Sequence, residues 1–173
     1  MKIGIIGAGK VGTTIATLLE SCSFCDAVAL ADARRDVKIG GLKKATATRF
    51  DVKRAAALGA FVKRCDAIVS AAPYFLNHDI AEACARARVA YFDLTEDVAT
   101  TKFIRTLARK TKGVTFMPQC GLAPGAINIV GGSLASTLDT VRSVEMRVGA
   151  LPQFASNQMK YYLSWSTAGL INE

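Results

Sequence analysis

Histidine and tryptophan each occur once in this sequence, and proline only four times. The five cysteines (22, 25, 65, 84 and 120) include one C-x-x-C spacing, Cys22-Ser23-Phe24-Cys25, with no second pair to complete it. With His78 as the lone histidine, a tetrahedral zinc site lacks ligands, so no metal is expected. An odd set of unpaired thiols fits a reducing, cytoplasmic setting. No apolar run approaches the roughly 18 residues of a membrane span, and the N-terminus has no signal-type apolar region, so neither membrane nor export is expected. Low-complexity tracts and repeats are absent. Half of the residues (51%) are hydrophobic and 21% are charged, which suits a globular chain with a full core. The net charge of +8 makes nucleic acid the first partner to weigh. The basic residues, however, fall in scattered pairs without the interleaved aromatics that a nucleic-acid platform needs, so no nucleic-acid partner is expected.

What is present begins at the N-terminus. A short apolar strand, Lys2-Ile3-Gly4-Ile5-Ile6, runs into Gly7-Ala8-Gly9-Lys10-Val11-Gly12, and an apolar-periodic helix follows over 11–22. This strand, G-x-G-x-x-G turn and helix form the opening of a dinucleotide-binding βαβ unit. Gly7 permits the turn, Gly9 admits a pyrophosphate near the backbone, and Gly12 lets the helix approach the sheet. Residues 27–32 form a continuous apolar run ending in Asp32, 20 residues after Gly12. At that distance a carboxylate accepts hydrogen bonds from the adenosine ribose of NAD, and its charge opposes a 2′-phosphate. Ala33 and Arg34 follow it, then Arg35. An arginine here can stack on adenine or meet the phosphate of NADP, so NAD is expected and NADP is possible.

The rest of the first 118 residues repeats the strand and helix alternation. A loop or short helix over 38–44 leads to a third strand over 45–51. Asp51, with Val52, is either at the strand end beside the adenine or a cap on a helix over 53–58. A fourth strand over 65–70 exits through Ala71, Ala72 and Pro73, small residues that leave room for a cofactor. Asn77 or Asp79 can cap the next helix over 80–87. A fifth strand over 89–95 ends at Leu94 and Thr95, which with the Pro73 exit are expected at the nicotinamide end of the cofactor; a helix follows with acids first and bases last, and a sixth strand covers 114–118. The expected fold is α/β, a Rossmann-type doubly wound parallel sheet over 1–124, followed by the beginning of a second α+β domain over 125–173. In that second part, 127–138 reads as a helix and 141–149 alternates like a strand of a different sheet.

These motifs give the chain a resemblance to the saccharopine dehydrogenase family, within it the lysine 6-dehydrogenase branch. The match is carried by Gly7 to Gly12, by Ala71-Ala72-Pro73-Tyr74-Phe75-Leu76-Asn77, by Tyr91-Phe92-Asp93-Leu94-Thr95-Glu96 and by Cys120-Gly121-Leu122-Ala123-Pro124-Gly125. Val148-Gly149-Ala150-Leu151-Pro152 and Trp165-Ser166 extend it to the C-terminal part. Family members are about twice as long and continue with a mixed-sheet substrate domain, so the resemblance implies a truncated form. It further implies an NAD(P)-dependent amino-acid dehydrogenase that oxidises the ε-amine of L-lysine, or the secondary amine of saccharopine, to an imine. The implied partners are a small amino-acid substrate and a second copy in a homodimer.

Such a reaction needs a group that takes the amine proton. By position the candidates are Tyr74, His78, Asp97, Cys120 and Asn128. Each has a structural reading too. Tyr74 can be a half-buried aromatic, His78 a surface residue, Asp97 and Asn128 helix caps, and Cys120 an inert buried thiol. A different class of function, a free-standing NAD-sensing regulatory module without catalysis, fits the short chain but leaves the 121–125 loop without a use.

Overall fold

The computed structural model describes residues 1–34, 37, 39–149, 152–154, 157, 158 and 160. Arg35, Ala150, Leu151 and the Trp165-Ser166 motif lie outside the described residues. The chain runs β1 (Lys2–Ile6), α1 (Lys10–Glu20), β2 (Ala27–Asp32), β3 (Ala45–Arg49), α2 (Ala55–Val62) and β4 (Ala67–Ser70). A short 3-10 turn (Tyr74–Leu76) leads to α3 (Asn77–Ala87), β5 (Ala90–Asp93), α4 (Val98–Lys110), β6 (Phe116–Met117) and α5 (Ala126–Ala135). All six strands are parallel, in the spatial order β3-β2-β1-β4-β5-β6. The order reverses between β1 and β4, and in a doubly wound sheet a ligand crevice opens beside such a reversal, at the strands' carboxyl ends.

The strands are apolar along their length because both faces of the sheet are to be covered. On one face Ile3, Ile5, Val28 and Leu30 meet Ala16 of α1. On the other, Ile6, Ala31 and Ile68 meet Leu58, Phe61 and Val62 of α2, Ile80 and Cys84 of α3 and Ile104 of α4. Each fully buried aliphatic side chain contributes roughly 1.5–3 kcal/mol. The register sets Ala31, Ile6, Ser70 and Asp93 in one row across β2, β1, β4 and β5. That row is the carboxyl edge of the sheet.

Of the loop or short helix expected over 38–44, the described residues form the loop, and Val37, Ile39 and Leu42 of that link pack on the α1 face. Several elements that follow differ from their sequence expectation. β3 stops at Arg49, and Asp51 sits in a turn, where its Oδ1 accepts from the Lys53 N–H at 3.0 Å. Residues 53–54 belong to that turn, and α2 starts only at Ala55. The expected strand over 141–149 does not form. Alternation specifies a strand only when a neighbour offers a hydrogen-bonding edge, and none of the described residues offers one to this segment. Helix α5 forms, but none of its residues is buried.

Candidate active site

The glycine turn is wedged between three strand ends. Gly7 has φ +105°, its N–H donates to the Ala31 carbonyl at 2.8 Å, and a Cβ on it would lie 2.5 Å from the Ala71 carbonyl oxygen. A Cβ on Gly12 would run into the Gly7 carbonyl oxygen, so α1 starts directly beneath the turn. Gly9 differs from both. Nothing lies within 4 Å of where its Cβ would be. It is also the N-cap of α1, with no side-chain cap and no acid in the first turn. The first N–H groups of a helix have no partners inside it, so this end attracts an anion. The open space over Gly9 and the bare helix end fit a pyrophosphate.

Above the turn lies a cleft of about 330 Å³. Gly7 and Gly9 form its floor, Asp32, Ala33 and Arg34 one side, Asp51 and Val52 the outer end, and Ala71, Ala72 and Pro73 the side from β4. Phe50 and Leu76, not anticipated from the sequence, also face it. Ala8 is buried beneath, while Lys10 and Val11 are exposed on the first turn of α1. Leu94 and Thr95 stand apart from this lining, at the end of β5, where Thr95 is buried.

Asp32 is held tightly. Its Oδ2 accepts from the Ala8 N–H at 2.8 Å and from Arg34 Nη2 at 2.9 Å, and its Oδ1 accepts from the Arg34 N–H at 2.9 Å and Nε at 3.0 Å. The Arg34 guanidinium beside Asp32 holds its carboxyl down at about 2. The sequence argument treated Asp32 as a bare charge. It is a paired one.

Among the catalytic candidates, Tyr74 is half-buried in the 3-10 turn after Pro73, edge-on to Phe75 with ring centroids 5.9 Å apart. His78 is exposed on α3 and stacks on Phe103 of α4 at 4.0 Å. Asp97 caps α4, its Oδ1 accepting from the Thr100 N–H at 2.7 Å; hydrogen bonding from Thr100, its side chain first and its N–H second, lowers the carboxyl below the usual range, with a smaller push from the nearby His78. Asn128 caps α5, its Oδ1 accepting from the Gly125 N–H at 2.9 Å. Cys120 is half-buried, and burial pushes its thiol up, away from a reactive thiolate. Tyr74, His78 and Asp97 therefore share one end of the sheet, whereas Asn128 lies on the later helix.

The sequence reading missed Asp93, which is closed to solvent in the β5 end of the row. Its Oδ1 accepts from the Thr95 N–H at 2.9 Å and the Gln119 N–H at 3.3 Å, and its carbonyl accepts from the Cys120 N–H at 2.7 Å. One residue thus ties the turn after β5 to the loop after β6. Burial pushes its carboxyl up. Asn77 and Asp79 were the two alternatives for a cap on α3; no side chain caps it, and Asn77 turns inward, its Oδ1 accepting from the Ser70 hydroxyl at 2.7 Å. An acid at the close of an apolar run, two residues after a tyrosine on the same strand face, was the available signal for Asp93.

Residues 3–117 match the family model described as saccharopine dehydrogenase NADP binding domain. The mitochondrial alpha-aminoadipic semialdehyde synthase of Mus musculus is 27% identical over 131 residues, covering 69% of this chain and 13% of that protein. Saccharopine dehydrogenase [NADP(+), L-glutamate-forming] of Pyricularia oryzae is 25% identical over 146 residues, covering 76% of this chain and 30% of the relative. Among solved structures, apo saccharopine dehydrogenase (L-Glu forming) from Saccharomyces cerevisiae aligns with TM-score 0.69 at 19% identity, over 98% of this chain and 40% of the yeast chain. The fold is thus shared, and the chain spans well under half the length of each of these proteins.

Proposed function

Because the chain belongs to the saccharopine dehydrogenase NADP-binding domain family, we propose that it is the cofactor-binding part of an amino-acid dehydrogenase that oxidises an amine to an imine. The substrate is the ε-amine of L-lysine or a secondary amine of the saccharopine type. Residues 125–173 begin its substrate and dimerisation domain, and the protein acts in the cytoplasm as a homodimer. The observation that carries the reading is the convergence of the glycine turn, the Pro73 exit and the Asp93-tied loop on one carboxyl edge of the sheet.

The domain is an NAD(P)-binding Rossmann domain. Bound there, the nicotinamide supplies the hydride acceptor. The chain's own residues do the rest. Gly9 and the α1 N-terminus hold the pyrophosphate, and Asp32 with Arg34 holds the adenosine end. The small side chains of Ala71 and Ala72 leave the β4 side of the cleft open. Tyr74, directly after Pro73 and half-open to solvent, takes or passes the amine proton, with His78 the next group along the same edge. Asp93 fixes the 119–125 loop against β5 so that the reacting carbon is held and water kept out.

Calorimetric titration with NADH and NADPH is the first test; one dinucleotide per chain is expected, and undetectable binding of both overturns the reading. L-Lysine or saccharopine is then titrated in the presence of NADP+. Amine binding that strengthens with cofactor, even with weak or absent turnover by this short chain, supports the dehydrogenase over a regulatory sensor.

A further inference from the structure

The Asp32 carboxylate has four hydrogen-bond donors around its two oxygens: the Ala8 and Arg34 N–H groups and two nitrogens of the Arg34 guanidinium. A carboxylate offers about four lone-pair directions in all. A ribose hydroxyl arriving at Asp32 therefore finds its acceptor positions filled while the guanidinium stays. Arg34 Nη2 also donates to the Ala8 carbonyl at 2.8 Å, which ties the guanidinium to the glycine turn. Its Nη1 has no hydrogen-bond partner among the described residues. The exposures set the order of encounter: the Arg34 side chain is 65% open to solvent and that of Asp32 only 14%. Anything reaching this end of the cleft meets the cation first. Arg49 adds a second cation beside the same turn, its Nε donating to the Ala33 carbonyl at 3.2 Å.

We propose that Arg34 decides between the two dinucleotides, acting as a movable cover on Asp32 that favours the phosphorylated cofactor. The proposal rests on the cleft being the dinucleotide site. With the cover closed, the charge of Asp32 is neutralised and the Nη1 end of the guanidinium is left to donate a charge-assisted hydrogen bond to a 2′-phosphate. NAD(H) is accepted when the cover lifts. Lifting costs NAD(H) the Arg34 bonds to Asp32, a cost moderated because the Arg34 side chain is 65% open to solvent, so the unphosphorylated cofactor binds less tightly without being barred. The result is a site that takes both cofactors and ranks NADPH above NADH.

The test is a set of dissociation constants for NADPH and NADH with the full chain and with Arg34→Ala and Arg34→Lys, read by nucleotide fluorescence at low and moderate salt. The parent chain is expected to bind NADPH more tightly. Losing charge-assisted bonds in Arg34→Ala should weaken NADPH about 10- to 100-fold. The same variant should leave NADH unchanged or tighter, because Asp32 is freed. Arg34→Lys should keep part of the NADPH preference, and added salt should weaken NADPH more than NADH. Equal weakening of both cofactors in Arg34→Ala, or an unaltered preference, overturns the proposal while leaving the dinucleotide site intact. Failure of the parent chain to bind either cofactor overturns the site itself. Thermal melts of the variants at the pH of the binding assay separate loss of binding from loss of fold: each should still unfold in one cooperative transition, Arg34→Ala at a somewhat lower temperature than the parent because Asp32 loses its partner.

Discussion

The Tyr91 hydroxyl donates a 2.8 Å hydrogen bond to Oδ2 of Asp93, and neither side chain has any exposure to solvent. The two lie two residues apart on one face of β5, so the pair is built by the pleat itself. Tyr91→Phe removes the donor and leaves a buried acceptor oxygen unpaired, at an expected cost of about 1–3 kcal/mol in urea unfolding. Cofactor affinity should hardly move, because neither residue lines the cleft. The pair also has a pH signature. Burial raises the Asp93 carboxyl in the folded chain, so the folded state keeps its proton better than the unfolded one. Its contribution to stability is full below the ordinary carboxylate value of about 4 and falls as pH rises through the raised value. Asp93→Asn should lack that slope when unfolding free energies are compared between pH 4 and 7.

Gly9 and Gly12 stand three residues apart and should respond differently to the same methyl group. Gly9→Ala places a Cβ in open space, so its unfolding free energy should stay within about 0.5 kcal/mol of the parent. NADPH affinity should fall tenfold or more if that space is the pyrophosphate cradle. Gly12→Ala drives a Cβ into the Gly7 carbonyl and should cost about 1–3 kcal/mol of stability as well. Paired melting and binding curves distinguish the two.

Acid should loosen the adenosine end. The Asp32 carboxyl is held at about 2, first by Arg34, so its stabilising contribution is present above the unfolded value of about 4. That contribution is lost as pH falls from about 4 towards 2. In melts across this range Arg34→Ala should show a shallower decline than the parent, since the largest cause of the shift is gone.

The face of α5 should make the chain associate. Val130 and Leu134 of α5 are 56% and 64% exposed, and with Leu138 and Val144 beyond the helix they line one apolar hollow. Contiguous apolar surface of this kind marks a contact region. Light scattering should report mass rising with concentration, and Val130→Glu combined with Leu134→Glu should suppress it without altering cofactor affinity.

The features readable from the sequence were those in which neighbouring residues dictate geometry. Gly7, Gly9 and Gly12 specify a turn among themselves, and the run ending in Asp32 specifies a buried strand. Asp93 escaped notice because its role is set by Gln119 and Cys120, some 26 residues further on. Asn77 was one of two alternatives for a cap because asparagine at a helix start usually is one; Ser70, on a different strand, reclaims it. For Arg34 the sequence left stacking and phosphate binding open; what it did not carry is the anchoring of the guanidinium by Asp32 and the Ala8 carbonyl together. The strand expected over 141–149 failed for the complementary reason: the pattern was local, but the pairing that makes a strand is not.

Every residue lining the cleft falls between positions 6 and 76, at the ends of β1 and β2 and in the turns that leave the first four strands. On the proposed reading, capture of the adenosine and pyrophosphate is a self-contained socket, assembled early in the chain and indifferent to what is plugged in after β6. Chimaeras that join residues 1–124 to a different substrate-binding segment should inherit the dinucleotide affinity unchanged, with the chemistry rewritten by the newcomer.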